Sequence, residues 1–128
     1  MIAAQLGCVA AGGALGALLR FGIAELMAFA FGKGPPWGTL LANALGCFLI
    51  GVIWAWLDQR EGDPTQLRLF LVTGMLGALT TFSSYGHETV TLLQAHRYGW
   101  AALYALGSVA LGLALVALGR AAYGSPAG

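Results

Sequence analysis

One stretch of the chain carries most of the groups that could do chemistry. Thr73-Gly74-Met75-Leu76-Gly77-Ala78-Leu79-Thr80-Thr81-Phe82-Ser83-Ser84-Tyr85-Gly86-His87-Glu88 interleaves hydroxyls, glycines and ionisable side chains within a longer apolar run. In lipid such groups must be buried in protein or line water, because hydrocarbon offers no hydrogen-bond partner. Glycines at 74 and 77 beside paired threonines predict an interrupted helix, whose freed carbonyls accept from side chains or bind a cation. The plainer alternative is that Ser and Thr back-bond to their own helix and Gly packs helices together.

Other apolar stretches add isolated polar groups. Thr39 and Asn43 stand one helical turn apart, and the Asn43 amide either donates to an anion or bonds across a helix interface. Tyr104, Ser108 and Gly112 repeat every four residues, giving hydroxyl, hydroxyl and hydrogen on one face: a wet contact or a small-residue packing seam. Arg20 either snorkels to the interface or sets a fixed positive charge at a vestibule. Glu25 reads as interfacial and Glu88 as lining a pore entrance. His87 and His96 lack metal-ligand spacing and read as interfacial. Cys8 and Cys47 belong to no CxxC or Cys/His cluster and read as packing residues. Ser83 and Ser84 have only His87 nearby, and the carboxylates offer no acid-base pair, so catalysis is not expected.

The elements that must position these groups follow from composition. Of 128 residues 59% are apolar and only 9% are charged, against about 25% charged in a soluble domain, and mean hydropathy is +0.78. A water-facing surface cannot be assembled from such a chain, so lipid is its solvent. A formal charge of +1 excludes a basic nucleic-acid surface. Twenty glycines lie inside apolar runs, which in a membrane means close helix packing.

Because about 20 apolar residues cross the hydrocarbon core, the punctuation predicts an all-α membrane protein of four transmembrane helices in a single integral domain. Spans are expected at about 2–31, 37–57, 65–95 and 100–123, the third one broken. Gly32-Lys33-Gly34-Pro35-Pro36, Asp58 to Pro64, and His96 to Gly99 separate them, and a short Ser125-Pro126 tail follows. Arg60, Arg68 and Arg120 fall on one membrane side, Lys33 and Arg97 on the other. So small a bias permits insertion both ways, and four spans are few to enclose an aqueous path. A homodimer with antiparallel subunits is therefore expected. Physics alone leaves ion passage through a dimeric pore, proton-coupled export of an organic cation, or a structural membrane subunit. The exporter wants a lone mid-membrane carboxylate, and none is evident.

Three motifs carry a resemblance: Gly12-Gly13-x-x-Gly16-Ala17-x-x-Arg20, Trp37-Gly38-Thr39-Leu40-x-x-Asn43-x-x-Gly46, and Gly77-x-x-Thr80-Thr81-Phe82-Ser83. In this order and spacing they are similar to the fluoride-channel family called Fluc, or CrcB-like, over nearly the whole chain. The resemblance implies an antiparallel dual-topology homodimer in a bacterial plasma or inner membrane. It implies two narrow pores that let fluoride out of the cytoplasm passively, conferring fluoride resistance. It implies a structural sodium ion at the dimer centre, held by the backbone carbonyls of Gly77 and Thr80 from both subunits.

The fluoride path it implies passes Asn43 and the ring edges of Phe82 and Tyr85. Hydroxyls of Thr39, Ser83, Tyr104 and Ser108 follow along the route, with Arg20 and Glu88 in supporting roles. Aromatic edges carry the positive part of the ring quadrupole and suit an anion. Tyr85 departs from the family's usual Phe, so its hydroxyl needs a partner or else narrows the path. Gly112 supplies no hydroxyl where some relatives have one.

Overall fold

Gly32 and the Pro35-Pro36 pair end the first apolar run for identifiable reasons. Proline has no N–H to donate, and Gly32 leaves the helix at φ 80°, in the left-handed region where a side chain is strained. The computed structural model describes residues 1–124. Its elements are α1 (Ile2–Phe31), α2 (Trp37–Asp58), α3 (Thr65–Arg68), a π-helical segment (Leu69–Leu76), α4 (Gly77–Leu79), α5 (Phe82–Gln94) and α6 (Tyr98–Ala122). The Ser125-Pro126 tail lies outside the described residues.

Four helical stretches, Ile2–Phe31, Trp37–Asp58, Thr65–Gln94 and Tyr98–Ala122, are long and apolar enough to cross a membrane. The protein is an all-helical, multi-pass membrane chain. Large apolar side chains face outward accordingly, Phe29 at 91% exposure and Leu113 at 69% among them. At the helix ends Arg60 stacks 4.7 Å over the Trp56 ring, and Arg68 and Arg97 lie 6.0 Å from the rings of Trp54 and Trp100. Such pairs place a charged head at the water boundary and an apolar stem in lipid.

Four boundaries differ from expectation by a residue or two. Helix α2 continues to Asp58, whose carboxylate lies 3.8 Å from Arg120 at the end of α6. The third span stops at Gln94, and α6 begins at Tyr98 rather than Trp100 and ends at Ala122. His96 makes this tight connection by adopting φ 58°, with its Nδ1 2.9 Å from the Tyr98 hydroxyl. In the loop before α3 the backbone N–H and hydroxyl of Thr65 both donate to Asp63. These bonds hold the Asp63 carboxyl below its ordinary range.

Two glycine seams hold the helices at backbone distance. A Cβ placed on Gly12 or Gly16 would lie 2.1 Å from the Phe70 carbonyl oxygen or 2.0 Å from that of Met75. Helix α1 thus rests directly on the π-helical segment, and the motif glycines of α1 are spent on packing. On the other side α2 packs against α6. A Cβ on Gly51 would meet the Val116 carbonyl oxygen at 2.3 Å, and one on Gly119 that of Phe48 at 2.2 Å. Small residues are what allow such approach in lipid, where association relies on packing. Between the seams sits a small core of Ala42, Leu76 and Leu79, surrounded by Ile23, Leu49, Ile50, Ile53 and Met75.

Candidate functional site

The third span leaves helical geometry at two residues, and both are threonines. Thr80 has φ −86°, ψ 152° and Thr81 φ −148°, ψ 112°, extended values that suit a β-branched side chain. The glycines expected to interrupt this span do not: Gly74 lies inside the π-helical segment and Gly77 is helical at φ −61°, ψ −34°. Gly74 instead faces α1, where a Cβ would come within 2.7 Å of the Val9 carbonyl oxygen. Local hydroxyl bonds finish both helix ends. The Thr80 N–H and Oγ1 both donate to the Leu76 carbonyl, at 3.0 and 2.9 Å. Thr81 Oγ1 accepts from the Ser84 N–H at 3.1 Å and caps α5.

Helix α2 supplies what the extended step lacks. Asn43 Oδ1 accepts from the Thr81 N–H at 2.7 Å while its Nδ2 donates to the Thr81 carbonyl at 3.2 Å. One turn further on, Gly46 leaves room for Thr80; a Cβ there would stand 2.2 Å from Thr80 Cγ2. These contacts redirect two donors. In an unbroken helix the N–H of Thr81 would serve the Gly77 carbonyl and that of Ser84 the Thr80 carbonyl. The first goes to Asn43 and the second to Thr81 Oγ1, so both carbonyls lose their helical donors. The neighbouring Ala78 carbonyl is taken by Arg20, whose Nε donates at 2.9 Å. Arg20 therefore braces the end of α4 through this bond.

A second polar cluster joins three helices. Thr39 Oγ1 donates to Glu88 Oε1 at 2.6 Å and the Tyr104 hydroxyl to Glu88 Oε2 at 2.5 Å. Both carboxylate oxygens are thus engaged, and Glu88 is held among α2, α5 and α6. The two clusters are linked by aromatic rings: Phe82 to Tyr85 and Tyr85 to Tyr104, each with centroids 5.5 Å apart and tilted by 37° and 39°. The extra hydroxyl of Tyr85 donates to the Ala105 carbonyl of α6 at 2.8 Å. It is satisfied within the chain.

Two grooves flank this line. One, of about 400 Å³, is lined by Asn43, Cys47, Thr80, Thr81, Tyr85 and Ser108 among others. The other, of about 330 Å³ and mostly apolar, runs past Trp37, Leu40, Trp100, Tyr104 and Ser108. Ser108 borders both, and its hydroxyl oxygen is buried without a hydrogen-bond partner among the described residues. Elsewhere the span follows the plainer sequence reading, Thr89 and Thr91 back-bonding to the carbonyls of Tyr85 and His87.

Of the residues singled out from sequence, Thr39, Asn43, Gly77, Thr80, Tyr85, Glu88, Tyr104 and Ser108 lie on one continuous run of contacts and groove walls. Phe82 joins the run through Tyr85 and the groove wall while remaining 83% exposed, and Ser83 is exposed beside it with its Oγ 3.1 Å from that of Thr81. Glu25 is exposed on α1. Sequence reasoning missed Thr81 as the residue grasped by Asn43, and Gly46 as its spacer. The Asn43-x-x-Gly46 spacing opposite a Thr-Thr pair was the available signal.

Fold and site together define a multi-pass membrane protein with a polar line across its third span. A family model described as CrcB-like protein, Camphor Resistance (CrcB), matches residues 7–120. The chain is 51% identical over 111 residues to a protein of Thermus thermophilus named fluoride-specific ion channel FluC, covering 87% of this chain and 88% of that one. Proteins of the same name from Salinibacter ruber and Aeromonas salmonicida are 47% and 46% identical, covering 87% of this chain and 83% and 89% of theirs. The chain belongs to the CrcB-like family.

Proposed function

We propose that the protein is a fluoride-selective channel that releases fluoride from the cytoplasm by passive, electrodiffusive flow. The observation that carries this reading is the unbroken series Asn43, Phe82–Tyr85–Tyr104 and Ser108 beside an extended step in a membrane span. Relatives sharing about half of the sequence bear the name of that activity.

Fluoride is small and strongly hydrated, so a narrow path must replace its water with donors placed in sequence. Asn43 uses one amide hydrogen on Thr81 and keeps a second for an anion. Ring edges of Phe82 and Tyr85 offer partial positive charge without full hydrogen bonds, and the Ser108 hydroxyl has a donor to give. Chloride is excluded by width and by poorer match to the same groups. Because hydrogen fluoride enters as a neutral weak acid and ionises in a more alkaline cytoplasm, a passive leak suffices to limit accumulation.

The working unit in this reading is an antiparallel homodimer inserted in both orientations and containing two pores. Phe82 and Gly77 are exposed in the single chain, which supports a second copy completing the site across that face. The carbonyls of Gly77 and Thr80, relieved of their helical donors, are hard oxygen ligands that fit a sodium ion between two copies. Such an ion supplies buried positive charge that raises the potential felt by an anion nearby. Asn43 and Arg20 serve that arrangement by holding the backbone on either side of the two carbonyls.

The test is anion efflux from liposomes holding the purified protein and loaded in parallel with fluoride or chloride. Rapid fluoride release with little chloride release is expected. Equal release of both, or release of neither from folded protein, contradicts the reading.

A further inference from the structure

The mostly apolar groove of about 330 Å³ shares only Ser108 with the groove that carries Phe82 and Gly77. Pro35, Pro36 and Arg97 set its mouth. They come from the first and third connections, which a chain of four spans puts on one side of the membrane. From there the walls descend past Trp37 on α2 and past Trp100, Leu103, Gly107 and Leu111 on α6. Between Arg97 and Leu111 a helix rises about 21 Å. One leaflet's hydrocarbon is about 15 Å deep, so the groove is long enough to take an acyl chain through it.

Among the described residues lining the groove, the one charge is Arg97, at the mouth. Its guanidinium is exposed, 6.0 Å from the Trp100 ring. Lys33 belongs to the facing connection, and neither connection, Gly32 to Pro36 or Ala95 to Arg97, contains Asp or Glu. Glu25 and Glu88 lie six residues inside the ends of α1 and α5, and Glu88 is engaged by Thr39 and Tyr104. The first turn of α6 adds the positive end of its dipole beside Arg97. The mouth is therefore cationic and the walls below it are apolar.

We propose that this groove binds one anionic phospholipid, with an acyl chain laid along α6 and the phosphate at Arg97. Both halves of the ligand are matched: the chain by apolar walls of leaflet depth, the phosphate by a basic mouth at the water boundary. A free phosphate would leave the apolar walls empty, and an uncharged lipid would leave Arg97 without a counter-charge. Trp37 and Trp100, 40% and 55% exposed, flank the entrance at the depth where aromatic rings gather in membranes. The bound chain covers the groove side of Tyr104 and keeps water from the bond that its hydroxyl donates to Glu88. The inference does not depend on the fluoride reading.

The experiment reads tryptophan quenching by brominated lipids in phosphatidylcholine liposomes, because bromine on an acyl chain quenches the rings it touches. Trp54→Phe with Trp56→Phe leaves Trp37 and Trp100 as reporters. At equal low mole fraction, chain-brominated phosphatidylglycerol should quench them with about fivefold higher apparent affinity than brominated phosphatidylcholine, the factor that one basic residue at an anionic surface supplies. Arg97→Gln should abolish that preference. Gly107→Leu keeps the charge but fills the groove, since a Cβ there meets nothing within 4 Å, and should abolish it as well. Native mass spectrometry of protein with all four tryptophans, extracted from an equimolar bilayer, should retain the two lipids in the same ratio. Equal quenching by both lipids overturns the proposal. So does quenching by neither, which would mean that a second copy of the chain covers the groove. A preference that survives Gly107→Leu, or that soluble glycerol 3-phosphate competes away, would leave only a surface anion site and overturn the lipid assignment.

Discussion

Asn43 grips Thr81 by both backbone groups, accepting from its N–H at 2.7 Å and donating to its carbonyl at 3.2 Å. One side chain of α2 thereby replaces the hydrogen bonds that an extended residue in a membrane span forgoes. Sequence reasoning left Asn43 as either interhelical glue or an ion ligand. The amide has enough hydrogens for both, and the glue role puts the second hydrogen beside the groove. Asn43→Ala removes two part-buried bonds and strands two backbone groups, at a cost of about 1–3 kcal/mol for each unsatisfied group. Thermal unfolding in detergent should register that loss, and fluoride flux should fall with it. An unchanged melting temperature would mean that the step at Thr81 holds itself.

Gly46 tests the same step from its packing side. Gly46→Ala drives a methyl toward Thr80 Cγ2, where the distance would be 2.2 Å, and overpacking of this kind costs about 1–3 kcal/mol. Thr80→Ser deletes the offending methyl while keeping the hydroxyl bonded to Leu76. The double variant should therefore recover most of the stability lost by Gly46→Ala, as read by thermal unfolding. Additive losses would place the strain elsewhere.

Tyr85 separates ring from hydroxyl. Its hydroxyl serves the Ala105 carbonyl, so Tyr85→Phe should lose about 0.5–1.5 kcal/mol of stability and keep fluoride flux. Tyr85→Ile and Phe82→Ile remove the ring edges and should slow flux by about tenfold or more. If Tyr85→Phe were to raise flux severalfold, the hydroxyl would be an obstacle in the path rather than a tie to α6.

Much of this architecture was legible in the residues. Pro35-Pro36 and the Asp58 to Pro64 stretch mark span ends because donors are missing or charges need water, and Gly12 and Gly16 mark a seam because only small residues let backbones touch. The glycines at 74 and 77 beside paired threonines point to an interruption here, and the residues that leave helical geometry are the threonines, Thr80 and Thr81. Gly74 is consumed by packing and Gly77 remains helical. The partners of Arg20 and Tyr85 are backbone carbonyls of Ala78 and Ala105. A buried arginine calls for a carbonyl or carboxylate partner, but carbonyls carry no residue-type signal, so no pattern of side chains says which one.

The antiparallel dimer proposed above, with the small charge asymmetry of the loops, predicts dual topology. A biotin-acceptor peptide inserted after Gly62, an exposed turn residue at φ 87°, should be labelled from both sides of the membrane in comparable amounts. Labelling from one side alone would make the subunits parallel and remove the shared face on which Phe82 and Gly77 are completed.

Electrical recording in a planar bilayer tests the central claim most directly. With fluoride at different concentrations on the two sides, chloride equal and a pH difference imposed, a passive fluoride pathway predicts a current that reverses at the fluoride equilibrium potential and ignores the proton gradient. A reversal potential that follows chloride or protons would contradict it.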